Sequence, residues 1–126
     1  MIDIPATASS PKVSYRAADG VLEFVGESYP ENSFEFFAPV FGWLNAELAG
    51  LDRLRVEINI PYMNSSSTKC MLDVLDLLEE AADSGKAVSV LWYYESGNDR
   101  ALDLAEEFKE DVGLPFEIRP FGEGHP

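Results

Sequence analysis

The run Tyr62-Met63-Asn64-Ser65-Ser66-Ser67-Thr68 gathers four hydroxyl side chains behind an asparagine, between a strand-like segment and a helix-like one. Asn and Ser are preferred helix N-caps, because their side-chain oxygens accept hydrogen bonds from N–H groups left unpaired in the first turn. One cap accounts for one or two of these residues. Four hydroxyls in succession exceed that need, since Ser and Thr are not favoured inside a helix. A phosphate is also well tolerated at such a place, where free backbone N–H groups and the positive end of the helix dipole converge. Two chemistries are therefore open on these residues: capping, which the residue types favour, and phosphoacceptance.

Other candidates for chemistry are sparse. His125, the one histidine, is second from the end of the chain, a poor place for a general base or metal ligand. Cys70 falls near the start of a helix, where a thiolate would be stabilised, but no histidine lies near it in sequence. A half-buried structural thiol is expected. The nine glycines form no phosphate-binding loop and no dinucleotide fingerprint. Residues 71–111 carry twelve acids against three bases, hence −9 of the total charge. Asp73 with Asp76, and Glu106 with Glu110, have same-face helical spacing. Apolar stripes already explain those helices, so the acids read as solvated surface. A calcium loop needs acids at alternating positions around a central glycine, and that pattern is missing. The expectation is no catalytic residues, no cofactor and no metal.

Composition narrows the class further. The 126 residues carry 9 Lys+Arg and 23 Asp+Glu, a formal charge of −14. So acidic a surface repels nucleic-acid backbones and anionic membranes. Hydrophobic content of 46% with 12% aromatics argues against disorder. The length suits one domain over residues 1–126. One cysteine allows no internal disulfide, the N-terminus lacks the features of a secretory signal, and no stretch approaches the roughly 18 apolar residues of a membrane helix. A cytoplasmic protein is expected.

The elements that must position the hydroxyl run follow from periodicity. Residues 1–10 are small and unpatterned, and read as a loose lead-in. Lys12–Ala17 and Val21–Gly26 flank Ala18-Asp19-Gly20, a hairpin signal. A helix is predicted within Glu31–Ala49, with Phe34, Phe37, Phe41, Leu44 and Leu48 on one stripe and a capping box of Ser28 and Glu31. Pro39 inside it predicts a kink or two shorter pieces. Arg53–Tyr62 alternates cleanly, with Leu54, Val56, Ile58, Ile60 and Tyr62 facing one way. One dry face and one partly wet face favour helices mainly on one side of the sheet. A second helix runs from about Ser66 to Asp83, burying Met71, Val74, Leu75, Leu78 and Ala82. Ala87–Tyr94 is a buried strand. A third helix, capped by Asn98 or Asp99, turns Ala101, Leu104 or Ala105, Phe108 and Val112 inward. Phe116–Arg119 is an edge strand, and residues 122–126 a frayed tail. The class is α/β: a mixed sheet with an N-terminal antiparallel hairpin followed by β-α-β-α-β-α-β.

Four segments in order, Tyr29–Ser33, Tyr62–Ser66, Leu75–Ala81 and Leu104–Asp111, resemble the SiaC family of bacterial regulatory phosphoproteins. The resemblance runs from about Ile4 to Arg119. It implies a fold similar to the STAS domains of anti-sigma factor antagonists, and a non-enzymatic partner-switching role in cyclic di-GMP signalling and biofilm formation. The unphosphorylated protein would bind and promote a GGDEF diguanylate cyclase. A cognate Ser/Thr protein kinase would block that contact, and a metal-dependent Ser/Thr phosphatase would restore it. The family's acceptor follows the Asn of a Tyr-x-Asn motif, which here is Ser65. Well-known members carry Thr at that place and an aliphatic residue where this chain has Thr68. Ser66, Ser67 and Thr68 are therefore competing acceptors. Tyr29, Asn32, Asn64 and Ser65 are the expected partner-binding residues. Two other readings are an antagonist-like STAS switch acting on transcription, and a small acidic metal-dependent hydrolase using the helix carboxylates.

Overall fold

The computed structural model describes residues 2–122; His125 and the rest of the expected tail beyond Gly122 lie outside them. In chain order the elements are β1 (Asp3–Ile4), β2 (Lys12–Arg16), β3 (Val21–Val25), α1 (Ser33–Glu47), a short 3-10 turn (Leu48–Gly50), β4 (Arg53–Asn59), α2 (Ser65–Asp83), β5 (Ala87–Glu95), α3 (Asp99–Asp111) and β6 (Phe116–Phe121). They build one six-stranded sheet in the sequential order β1-β2-β3-β4-β5-β6. The first three strands pair antiparallel and the last four parallel. Gly20, at φ 68, makes the β2–β3 turn that a side-chain-bearing residue enters only with strain.

Three parallel crossovers advancing in one direction, each of the usual right hand, put all three helices on the same face. The β4 side chains record this. Leu54, Val56 and Ile58 are buried, Arg53 and Arg55 are exposed, and Glu57 and Asn59 are half-buried. Val13, Leu22, Phe24, Val88, Val90 and Trp92 continue the dry face, and Phe37, Leu44, Met71, Val74, Leu75, Leu78, Ala105 and Phe108 meet it from the helices. Trp92 stacks on Phe108 and Phe116, with centroids at 5.1 and 6.0 Å. The open face carries an alternating-charge lattice: Lys12 and Arg16 on Glu23 at 3.3 and 3.4 Å, and Arg55 on Glu57 at 3.2 Å. Such partly exposed pairs set register more than stability.

Several expectations are corrected. Residues 1–10 are not simply loose. Asp3–Ile4 adds an edge strand to β2, Ile2 is buried, and Thr7 and Ser10 lock a turn through hydroxyls 2.6 Å apart. The α1 cap is Asn32, whose Oδ1 accepts from Glu35 N at 3.0 Å, rather than Ser28. Pro39 does not split the helix. It sits on an exposed position, where a carbonyl left without its usual donor faces water. The buried stripe of α1 is Ser33, Phe37, Val40, Trp43 and Leu44, so Phe34 is displaced to solvent. Ala81 rather than Ala82 closes the inner stripe of α2. Tyr62 lies past the end of β4 and is exposed, although the alternation through Ile60 pointed it inward.

Candidate functional site

Parallel neighbours end at the same side of a sheet, so the loops leaving β3 and β4 lie side by side. Their pairing continues past the strands as a parallel bridge between Ser28 and Met63. Ser28 N donates to Tyr62 O at 2.9 Å and Asn64 N donates to Ser28 O at 3.0 Å. Tyr29 N donates to Ser9 O at 2.7 Å, so the N-terminal segment fixes the same loop from outside. The segments Ser28–Ser33 and Tyr62–Thr68, 34 residues apart in sequence, thus become one surface.

Asn64 is the N-cap of α2: its Oδ1 accepts from Ser67 N at 2.9 Å. The same oxygen accepts from Ser66 Oγ at 3.3 Å and Ser33 Oγ at 3.4 Å. Beneath it Ser28 Oγ donates to Ser67 Oγ at 2.8 Å. The Ser33 hydroxyl lies 3.1 Å from that of Ser67 and 2.8 Å from that of Ser66. Ser28, Ser33 and Ser67 are buried. Each hydroxyl has a single hydrogen to give. The arrangement that satisfies all four therefore runs Ser28 to Ser67 to Ser33 and ends on Asn64 Oδ1, which Ser33 reaches directly or through Ser66. The amide of Asn64 is both helix cap and sink for this chain.

The four consecutive hydroxyls are consequently not equivalent. Ser66 and Ser67 are held in the chain, and Thr68 Oγ1 donates to Asn64 O at 3.0 Å. Ser65, the first residue of α2, is exposed, and among the described residues its hydroxyl has no hydrogen-bond partner. The first turn of α2 holds no acid, and Lys69 stands one turn on, 3.9 Å from Asp73. Tyr29 and Tyr62 make an edge-to-face pair with ring centroids 6.0 Å apart. Asn32 is exposed at the start of α1, next to Ser33. The structure therefore brings Tyr29, Asn32, Asn64 and Ser65 onto the two adjoining loops.

The remaining candidates lie elsewhere. Cys70 is fully buried rather than half-buried, and burial, with a smaller effect of Asp73, raises its thiol pKa. That is the opposite of what a nucleophile needs. Asp76, Glu106 and Glu110 are exposed on helix surfaces and Asp73 is half-buried. Among the described residues, no three His, Cys, Asp or Glu side chains are grouped to hold a metal ion, and no helix is long and apolar enough to cross a membrane. Sequence reasoning missed Ser28 and Ser33 as members of the site. The available signal was a Ser/Asn cluster after each of two successive strands, which parallel pairing would bring together.

Known proteins share this fold. The family model described as SiaC family regulatory phosphoprotein matches residues 4–121. A protein of Pseudomonas aeruginosa strain UCBPP-PA14 is 44% identical over 123 residues, 97% of this chain and 98% of its own. SiaC of Pseudomonas aeruginosa, in a crystal structure with the diguanylate cyclase SiaD that it activates, superposes with a TM-score of 0.91 at 43% identity. The match covers 96% of this chain and 100% of that one. Its apo form superposes with a TM-score of 0.86 at 42% identity, over 94% and 97% of the two chains. With the model matched from Ile4 to Phe121, the chain belongs to the SiaC family of regulatory phosphoproteins.

Proposed function

We propose that this protein is a non-enzymatic activator of a GGDEF diguanylate cyclase, active in its unphosphorylated form and switched off by phosphorylation of Ser65. The observation that carries the proposal is the likeness, over nearly the whole chain, to SiaC as it stands in complex with SiaD. The assignment of Ser65 is supported by its hydroxyl, the exposed one in a run whose other members are engaged in hydrogen bonds. A Ser/Thr kinase reaches that oxygen without disturbing the buried chain, and a metal-dependent phosphatase reaches the phosphoryl group to remove it. The switch acts in the cytoplasm, where the cyclase and its nucleotide substrate reside.

The mechanism is one of local charge. Unmodified Ser65 offers the partner a small neutral hydroxyl, flanked by Tyr29, Asn32 and Asn64. Phosphorylation adds about −1.5 to −2 charges and three acceptor oxygens. The N-terminal end of α2 accommodates that charge, so the fold persists. A partner surface shaped for a hydroxyl must instead desolvate a dianion, at several kcal/mol unless it is paired. A loss of about 3 kcal/mol weakens binding more than a hundredfold.

The test is calorimetric titration of the host's GGDEF cyclase with Ser65→Ala and Ser65→Asp. The alanine variant is expected to bind as tightly as unmodified protein and to resist the kinase. The aspartate variant is expected to bind at least tenfold more weakly. Equal affinities would refute the mechanism. Mass mapping of protein from its natural source is expected to place an added mass of about 80 Da on Ser65. Finding it consistently on Thr68 instead would refute the assignment.

A further inference from the structure

No described element covers the face of the sheet away from the helices, and its charge differs from that of the rest of the chain. Five of the nine cations, Lys12, Arg16, Arg53, Arg55 and Arg119, lie on β2, β4 and β6. Register then shapes a trough along β5. Ala87 stands beside Arg53 and Ser89 beside Arg55, while Glu117 flanks Leu91 and Arg119 flanks Tyr93 from the other side. Paired residues share a face, so short side chains on β5 run between long ones on β4 and β6. Two adjoining hollows of about 260 and 210 Å³ result, and Arg55 and Ser89 line both. Leu91 forms part of the floor: it is buried, yet it belongs to the open face and not to the core cluster under the helices. The carboxylates nearby are already engaged. Glu57 is held by Arg55 at 3.2 Å and Arg16 at 3.8 Å, Asp19 by Arg16 at 3.2 Å, and Glu117 by Arg119 at 2.6 Å. Among the described residues Arg53 has no ion-pair partner.

We infer that this trough is a docking surface separate from the Ser65 loops, and that it takes an extended segment of a partner protein with Asp or Glu at alternate positions. Alternate side chains of a strand lie about 7 Å apart, so Arg53 and Arg55 match two carboxylates spaced i, i+2 on a chain laid along β5. Guanidinium groups take carboxylates through paired, charge-assisted hydrogen bonds. Ala87 and Ser89 leave room for the backbone of that chain. Charge selects this occupant over others. A nucleic acid or an anionic membrane extends its charge far beyond the trough and meets a chain of −14. A short acidic segment keeps its charge within reach of the guanidinium groups. A second copy offers its acids on α2 and α3, at helical spacing, and setting them on this face gives a head-to-tail contact rather than a closed pair. Arg53 begins β4 and Ser65 follows its other end, across a strand of seven residues that spans about 20 Å. One partner can hold the trough while another engages the Ser65 loops, and the inference stands independently of the function proposed above.

The test is fluorescence anisotropy of the full-length protein with a labelled hexapeptide of alternating Glu and Val, beside one of alternating Gln and Val. The Glu peptide is expected to bind saturably and to weaken as salt is raised, and the Gln peptide to bind at least tenfold more weakly. The double variant Arg53→Ala, Arg55→Ala is expected to weaken the Glu peptide at least tenfold and Arg119→Ala at least threefold, with unchanged folding by circular dichroism. Lys109→Ala, which removes a cation from α3, is expected to stay within twofold. Absence of saturable binding, equal binding of the Gln peptide, or full binding by the arginine variants would overturn the inference. Displacement of the peptide by inorganic phosphate, at an ionic strength where chloride has no effect, would make the trough a small-anion site and overturn it too. Self-association in sedimentation that Arg55→Glu abolishes would assign the face to a second copy, with the same consequence. Loss of GGDEF cyclase affinity in the arginine variants would join the trough to the switch surface and refute its separateness.

Discussion

Each of the three helices is capped by an asparagine, Asn32, Asn64 and Asn98, whose Oδ1 accepts from the N–H three residues on at 3.0, 2.9 and 3.1 Å. The shared chemistry makes an internal control. Replacing an Asn cap with Ala costs about 1 kcal/mol, and that is the expected loss for Asn32→Ala and Asn98→Ala. Asn64 carries more. Its Oδ1 also receives Ser66 and Ser33, and terminates a hydroxyl chain whose members Ser28, Ser33 and Ser67 are buried. Removing the sink leaves the half-buried end of the chain without its acceptor, at about 1–3 kcal/mol. Asn64→Ala should therefore cost about 2–4 kcal/mol in total. Unfolding entropy of about 2.1 cal/mol/K per residue converts this to a fall in Tm of roughly 8–15 °C, against roughly 4 °C for Asn98→Ala. Urea denaturation followed by circular dichroism measures the three variants alongside Asn64→Asp, which keeps the acceptor and places a negative charge at the helix start. The aspartate variant should recover most of the loss. If Asn64→Ala and Asn98→Ala agree within about 0.5 kcal/mol, the directed chain of hydroxyls is refuted.

Three further outcomes test other parts of the structure. Cys70, buried with a raised pKa, should react with a thiol reagent at pH 8 only as fast as the protein unfolds. The sign of the linkage follows: the folded state holds the thiol proton more tightly, so its contribution is intact below the unfolded value of about 8.5 and is lost as pH rises toward the folded one. Trp92 Nε1 is buried without a partner among the described residues, so Trp92→Phe should cost less than about 1 kcal/mol while Trp92→Ala costs about 3–5, both read from urea midpoints. Ser65 makes no side-chain hydrogen bond among the described residues, and Ser65→Ala should shift stability by less than about 0.5 kcal/mol; a larger shift would mean that the hydroxyl is structurally engaged.

Periodicity made most of the fold legible. The alternation of Leu54, Val56 and Ile58 located β4 and announced a sheet covered on one face, and the apolar spacing of α2 and α3 named most of their buried residues. Errors arose where packing outranked local pattern. A stripe of phenylalanines fits the helical period of α1, yet Trp43 and Val40 take the inner face and Phe34 is left outside. Asp3–Ile4 is too short to show a period and becomes a strand only through its neighbour β2. The Asn64-Ser65 run was legible as a helix start because capping is local. Its coupling to Ser28 and Ser33 was not, because that depends on which strands lie side by side.

On the proposed phosphorylation of Ser65, the same coupling would let one added charge govern so acidic a protein. A phosphoryl group takes the formal charge from −14 to about −16, a small change in the long-range field that salt screens within about 8 Å. Control by total charge would therefore be weak. Position does the work instead. Ser65 stands where two loops are locked together by buried hydroxyls, so neither loop can swing away to accommodate a dianion without breaking hydrogen bonds. It also shares its loop with Tyr62, which is exposed and pairs with Tyr29. The acids on α2 and α3 lie on exposed helix surfaces and keep their hydration, whereas the charge on Ser65 would be stripped of it. On the function proposed above, a rigid loop pair and the free hydroxyl of Ser65 would let a single modification set the affinity of the surface, while the fold beneath it stays unchanged.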